Sequence, residues 1–129
     1  MNKYTFSFTK TFTFDESEIT DVISSAIYDI GYWACIDNDT DIWHKISNSL
    51  PKDHTFEDVF FEILKNGHAV CLIDVEDTEE VWELTLNKLI NGIKLTIEQN
   101  YWDGSFDNID GEIGDIIFQM ALFESIVFG

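Results

Sequence analysis

The chain has 129 residues, 45% apolar and 15% aromatic, which suffices for one domain with its own core and is too hydrophobic for disorder. Its 25 carboxylates face seven lysines and no arginine, a formal charge of −18. That balance excludes a basic stripe along nucleic acid, bidentate guanidinium contacts to phosphate or guanine, and attraction to an anionic membrane.

Residues 4–14, "YTFSFTKTFTF", alternate with period two. Tyr4, Phe6, Phe8, Phe12 and Phe14 share one parity, and Thr5, Ser7, Thr9, Thr11 and Thr13 fill the other, so the pattern predicts a strand with one face on a core. Asp15 and Glu18 then form a capping-box signature, and Ile19, Val22, Ile23, Ala26, Ile27 and Ile30 repeat at helical spacing up to Gly31. A short strand is expected around Tyr32–Ile36, followed by an acidic loop. Thr55 caps a second helix with Phe56, Val59, Phe60, Ile63 and Leu64 inward and Gly67 at its end. "AVCLIDVEDTEEVWELTL" reads as a hairpin with an acidic turn at Glu76–Glu79. Thr85 caps a third helix with Leu86, Leu89, Ile90, Ile93 and Ile97 on one face, which Gly92 weakens. After a loop rich in turn formers, a fourth helix runs from about Glu112 with Ile113, Ile116, Ile117, Met120 and Ala121 apolar. Beyond Ala121 the chain is apolar on every side, so Leu122–Phe128 is expected in the core or against a second subunit. The expected fold is α+β: a small antiparallel or mixed sheet of about three strands with about four helices, in a single domain spanning residues 1–129.

Motifs with chemistry are scarce. "DNDTD" (Asp37–Asp41) begins like a calcium loop, but Ile42 stands where the sharp turn needs glycine and Asn48 where the closing glutamate belongs. "DGSFDNIDGE" fails in a similar way. His44, His54 and His68 lack zinc-ligand spacing with one another or with Cys35 and Cys71, which are expected as two buried thiols. No phosphate loop, nucleophile elbow or dinucleotide fingerprint occurs. We therefore expect no catalytic residue, no metal, no cofactor, and a protein that is not an enzyme. No run reaches the roughly 18 apolar residues of a bilayer span, and no secretory signal opens the chain, so a cytoplasmic location is expected.

What remains is charge and aromatic side chains. Carboxylates cluster at Asp15–Asp21, Asp37–Asp41, Asp74–Glu83 and Asp103–Asp115. Trp43 and Trp102 sit in acidic, loop-like sequence, a make-up suited to protein binding, whereas Trp82 belongs to the hairpin core. The candidate partner-binding set is therefore Asp37, Asp39, Asp41, Trp43, Glu76, Asp77, Glu79, Glu80, Trp102, Asp103, Asp107 and Asp110.

The stretches "ITDVISSAIYDIGYW", "ILKNGHAVCLIDVEDTEEVWELTLNKLINGIKL" and "DIIFQMALFESIVFG" resemble a family of small uncharacterised acidic proteins of phages and prophages of low-GC bacteria. The similarity is strongest in the "LTLNKLINGIKL" helix and the "ALF…IVFG" ending and weakest over residues 37–55. It implies a bacterial cytoplasm under infection or lysogeny and supplies no assigned site residue. With the charge, it leads to the expectation of an inhibitor of a host nucleic-acid-handling defence complex, an anti-CRISPR protein first among them. Such an inhibitor would bind a basic protein or ribonucleoprotein, as a nucleic-acid mimic. The alternatives are a structural or accessory phage protein self-associating as a homodimer through the C-terminal segment, and an antitoxin or immunity-type protein with a basic partner.

Overall fold

Asp15 opens the first helix, α1 (Glu16–Ile27), as its sequence demands. Its carboxylate accepts from the Glu18 N–H at 2.8 Å, and the Glu18 carboxylate accepts from the Asp15 N–H at 3.1 Å. Ile19, Val22, Ile23 and Ala26 are buried along one face. The computed structural model describes residues 3–129. A 3-10 turn (Asp29–Tyr32) follows α1 and buries Ile30, then leads into strand β1 (Ala34–Ile36).

Next comes α2 (Asp41–Ser49), where the sequence reading expects an acidic loop. The Thr40 hydroxyl accepts from the Trp43 N–H at 3.2 Å, and Ile42, Trp43 and Ile46 supply a short apolar stripe against the core. Helix α3 (Phe56–Lys65) carries a capping box between Thr55 and Asp58 and stops at Gly67, whose φ of 81° suits glycine. Strands β2 (Val70–Asp74) and β3 (Val81–Leu84) form the expected hairpin. Helix α4 (Leu86–Glu98) is capped by Thr85, and α5 (Gly111–Phe123) by Asp110.

The sheet is antiparallel in the order β1-β2-β3, with Ile36 opposite Leu72 and Leu72 opposite Trp82. Among the described residues, five α-helices and three strands give the α+β class, with one helix more than the sequence predicts. Ala34, Val70, Leu72 and Leu84 are buried in the core. By alternation, Cys35, Cys71, Ile73, Val81 and Glu83 point to the opposite face. Neither thiol is buried: Cys35 is exposed and Cys71 half-buried, both unbridged, because both fall on that outward parity.

Helix α5 is the axis of the molecule, packing on α4 and α1. Gly92 makes the first approach possible: a Cβ there would lie 2.6 Å from the Ile117 carbonyl oxygen and 2.7 Å from the Ala121 Cβ. Gly114 does the same against α1, where a Cβ would meet the Ala26 nitrogen at 2.7 Å.

Two expectations about the ends change. Residues 3–13 form no strand and lie exposed, with Tyr4, Phe6 and Phe8 at 90%, 86% and 77% of full exposure. The three-stranded sheet is complete without them, so their alternation has no partner within the fold. Phe14 does dock, stacking on Trp102 at 6.5 Å and meeting Phe106 edge-on at 5.2 Å. At the other end α5 stops at Glu124 in the left-handed region (φ 57°), and the tail turns back. The Gln119 side-chain oxygen accepts from the Val127 and Phe128 N–H groups, each at 2.8 Å. Phe128 stacks on Trp33 with centroids 5.0 Å apart and rings 8° from parallel. Leu122, Phe123 and Phe128 thus pack on their own chain, while Ile126 and Val127 stay exposed. That leaves little of the segment for a homodimer interface.

Candidate functional site

The carboxylates of the β2–β3 turn divide between building the turn and facing solvent. Asp74 Oδ1 accepts from the Glu76 N–H at 2.8 Å, and Asp77 Oδ1 from the Glu79 N–H at 3.2 Å, so two short acidic side chains fix the backbone. Glu76, Asp77, Glu79 and Glu80 are all exposed around it. The patch after β1 is built in the same way. Asp37 Oδ1 accepts from the Asp39 N–H at 3.0 Å, and Asp39 lies 2.8 Å from His44 Nε2, with Asp41 exposed in the first turn of α2.

Strand register decides which patches meet. Asp74 lies opposite Ala34, at the start of β1, whereas the Asp37 N–H donates to the Cys71 carbonyl at its end. The hairpin patch and the Asp37–Asp41 patch therefore occupy opposite ends of the sheet. The hairpin patch instead approaches the third. Tyr32, Trp33, Asp74, Glu76 and Phe128 line a small recess of about 150 Å³. Asp29, at the other end of the same 3-10 turn, touches Gly111, next to the cap Asp110. Asp29 therefore links the α5 cap Asp110 to the 3-10 turn whose far end, Tyr32, lies beside Asp74 and Glu76, giving an acidic band from Asp110 through Asp29 to the hairpin turn. Asp103 and Asp107 are exposed in the loop before Asp110. Asp29 is the bridging residue that the sequence reading missed, because it lies between the clusters in the chain and joins them only in space. Glu83, the last carboxylate of the hairpin cluster, faces outward opposite Cys71, with Asp37 on the other side of that cysteine.

Both candidate tryptophans leave the surface set. Trp43 is 6% and Trp102 5% exposed. Trp43 packs on Phe56 at 4.7 Å between centroids, and the Trp102 indole N–H donates to the Ser105 carbonyl at 3.1 Å and the Asn108 side chain at 3.2 Å. Acidic neighbours in sequence disguise them: Asp41 and Asp103 are exposed, while Trp43 on α2 and Trp102 in the loop after α4 are buried.

Asp115 also departs from its cluster. It is buried beneath the band and accepts three hydrogen bonds: from the Tyr32 hydroxyl at 2.6 Å, the Trp33 indole N–H at 2.8 Å and the Gln119 amide at 2.9 Å. Tyr32 as a residue is 53% exposed, while its hydroxyl is bonded to the buried Asp115. Burial there, and then the Asp115 carboxylate, push its pKa from 10.0 up to about 12. Asp115 thus ties the 3-10 turn, α5 and, through Gln119, the C-terminal tail together.

The nucleophile candidates have unsuitable settings. Burial, then Glu83 and Asp37, raise the Cys71 thiol pKa, opposite to the activation a reactive cysteine needs. His54 bridges Ser47 Oγ at 3.1 Å and the Pro51 carbonyl at 2.6 Å, which closes the α2–α3 connection. Among the described residues no helix is long and apolar enough to cross a membrane. No protein-family model matches the chain, and no curated protein or solved structure shows significant similarity to it.

Proposed function

We propose that the protein is a phage-encoded inhibitor that binds a basic, nucleic-acid-handling host defence complex, an anti-CRISPR role being the leading case. The observation that carries this reading is the acidic band linking Asp110, Asp29 and the hairpin carboxylates Asp74 and Glu76. A band of like charge presents to a basic channel what a nucleic-acid backbone presents, attracting it at long range and occupying it at contact. Inhibition on this reading is by occupancy in the bacterial cytoplasm, with no reaction catalysed and no direct contact to nucleic acid. The Asp37–Asp41 patch, at the other end of the sheet, lies outside the strip and contributes only to the general field.

The test is binding of the purified protein to CRISPR effectors and restriction enzymes of the native host at low and high salt. Tight, salt-sensitive binding that competes with guide or target nucleic acid is expected. Reversing the hairpin charges with Glu76→Lys, Glu79→Lys and Glu80→Lys should abolish it, whereas Asp39→Lys should have little effect. Absence of binding to every such complex rejects the proposal, and salt-insensitive binding rejects mimicry as its basis.

A further inference from the structure

Residues 3–11 form an extended arm whose chemistry differs from the rest of the chain. The first 14 residues hold Lys3 and Lys10 and no carboxylate, while all 25 carboxylates and five lysines lie in the body. The arm alternates aromatic and hydroxyl side chains as a strand does, yet its aromatic rings are almost fully in water. Single exposed apolar residues are ordinary, but three rings in register on a strand-like segment are an unfilled pairing surface.

The body carries a matching acceptor. β1 is an edge strand, bonded only to β2. The Trp33 carbonyl accepts from the Val75 N–H just past β2 and the Asp37 N–H donates to the Cys71 carbonyl, so alternation turns the N–H and C=O groups of Ala34 and Ile36 toward the open edge. Beside that edge runs an apolar groove of about 480 Å³, lined by Ile27, Tyr28, Ala34, Ile36, Phe56 and Val75. Tyr28 and Val75 are themselves exposed at its rim. Asp37 follows the end of β1 and gives the edge a charge opposite to that of the arm.

From these features we infer that the arm of one copy adds to the β1 edge of a second copy as a fourth strand. Phe6 and Phe8 then enter the groove beside Ile27 and Phe56, and Ser7 lies on the outer face near Cys35. Main-chain bonds supply affinity and the alternate rings supply register. The occupant is a second copy because the arm leaves its own body over α4, where Lys10, Thr11 and Phe12 border Ile90, Lys94 and Ile97. α4 packs chiefly on α5, whereas β1 packs on β2 and the 3-10 turn. Reciprocal exchange gives a closed two-fold dimer, and each basic arm offsets the repulsion between two acidic bodies.

Sedimentation equilibrium of the full chain is expected to show a concentration-dependent dimer. The Phe6→Ser/Phe8→Ser variant should be monomeric, with an unfolding midpoint that no longer rises with protein concentration and equals that of the unaltered chain at concentrations where the latter is monomeric, because neither ring contributes to the core. In a Ser7→Cys, Cys71→Ser background, mild oxidation should join the new thiol to Cys35 of a second chain. A strict monomer at high concentration overturns the inference, as does a dimer that survives the aromatic substitutions. So does a link formed within one chain, or a dimer that gives no link to Cys35.

Discussion

Asp115 carries more structural responsibility than any other carboxylate in the protein. A buried acceptor with three donors cannot be removed without leaving those donors unpaired, each costing about 1–3 kcal/mol when desolvated. Asp115→Ala should therefore destabilise the fold by about 3 kcal/mol in urea unfolding, and Asp115→Asn, which keeps an acceptor oxygen, by roughly half of that. A loss below about 0.5 kcal/mol for the alanine variant contradicts a structural role for the network. Tyr32 gives the alkaline counterpart. Its folded-state pKa lies above the unfolded value, so its contribution is complete below pH 10.0 and is lost as pH rises toward about 12. Unfolding midpoints should fall across that window, and Tyr32→Phe should flatten the fall; an unchanged slope in the variant rules this origin out. Sequence alone marks Asp115 only as one more acidic residue, because its burial follows from the α5 face it shares with Gln119 and from the distant Tyr32 and Trp33.

At the scale of elements, local signals were legible wherever a cap and a stripe coincide. Asp15 with Glu18, Thr55 and Thr85 each announce a helix that forms where expected. α2 escapes because its stripe is three residues long and enclosed by Asp37–Asp41 and Asn48, so solvated side chains dominate the reading. Gly92 illustrates the opposite error. As a weak helix former it argues against α4, yet its missing side chain is what lets α4 meet α5. Gly92→Ala should gain about 1 kcal/mol of helix propensity and lose more to the contact with Ile117 and Ala121, for a net loss of about 1–2 kcal/mol. A thermal melt checks this: a variant as stable as the unaltered protein means the helices separate at no cost. The tail gives a further prediction. Phe128→Ala removes the ring stacked on Trp33 and should cost about 2–3 kcal/mol, slightly less than for a fully enclosed phenylalanine. If the tail were only a surface for another subunit, the monomer's unfolding curve would not move.

The whole molecule is shaped by its charge. With −18 formal charges and only a few exposed ion pairs, such as Lys65 with Glu16, self-repulsion opposes compaction. Raising sodium chloride from about 10 to 300 mM should increase the melting temperature by several degrees, because the Debye length falls from about 30 Å to below 10 Å. A melting temperature independent of salt implies that the carboxylates are too dispersed to act together, which also weakens the acidic band as a binding device. Fold class was readable from pattern because α+β architecture follows from the mixture of helical and alternating segments. Assembly of the surface was not, since strand register, which sends Asp37 to one end of the sheet and Glu76 to the other, is a long-range property. The arm exposes the limit of periodicity most clearly: residues 4–14 have strand chemistry, but three other segments complete the sheet.

The stack of Phe128 on Trp33 also has an optical consequence. Trp33 lies 5.7 Å from Trp82, with their ring planes inclined at 56°, and Phe123 and Phe128 wedge the pair in place. Two indoles held that close and that oblique couple their electronic transitions, producing a circular-dichroism couplet in the far ultraviolet that neither ring gives alone. Its amplitude depends on the angle between the rings, so it follows the seating of the C-terminal tail directly, without a label. The protein thus carries its own spectroscopic gauge at the junction of the sheet, the 3-10 turn and α5.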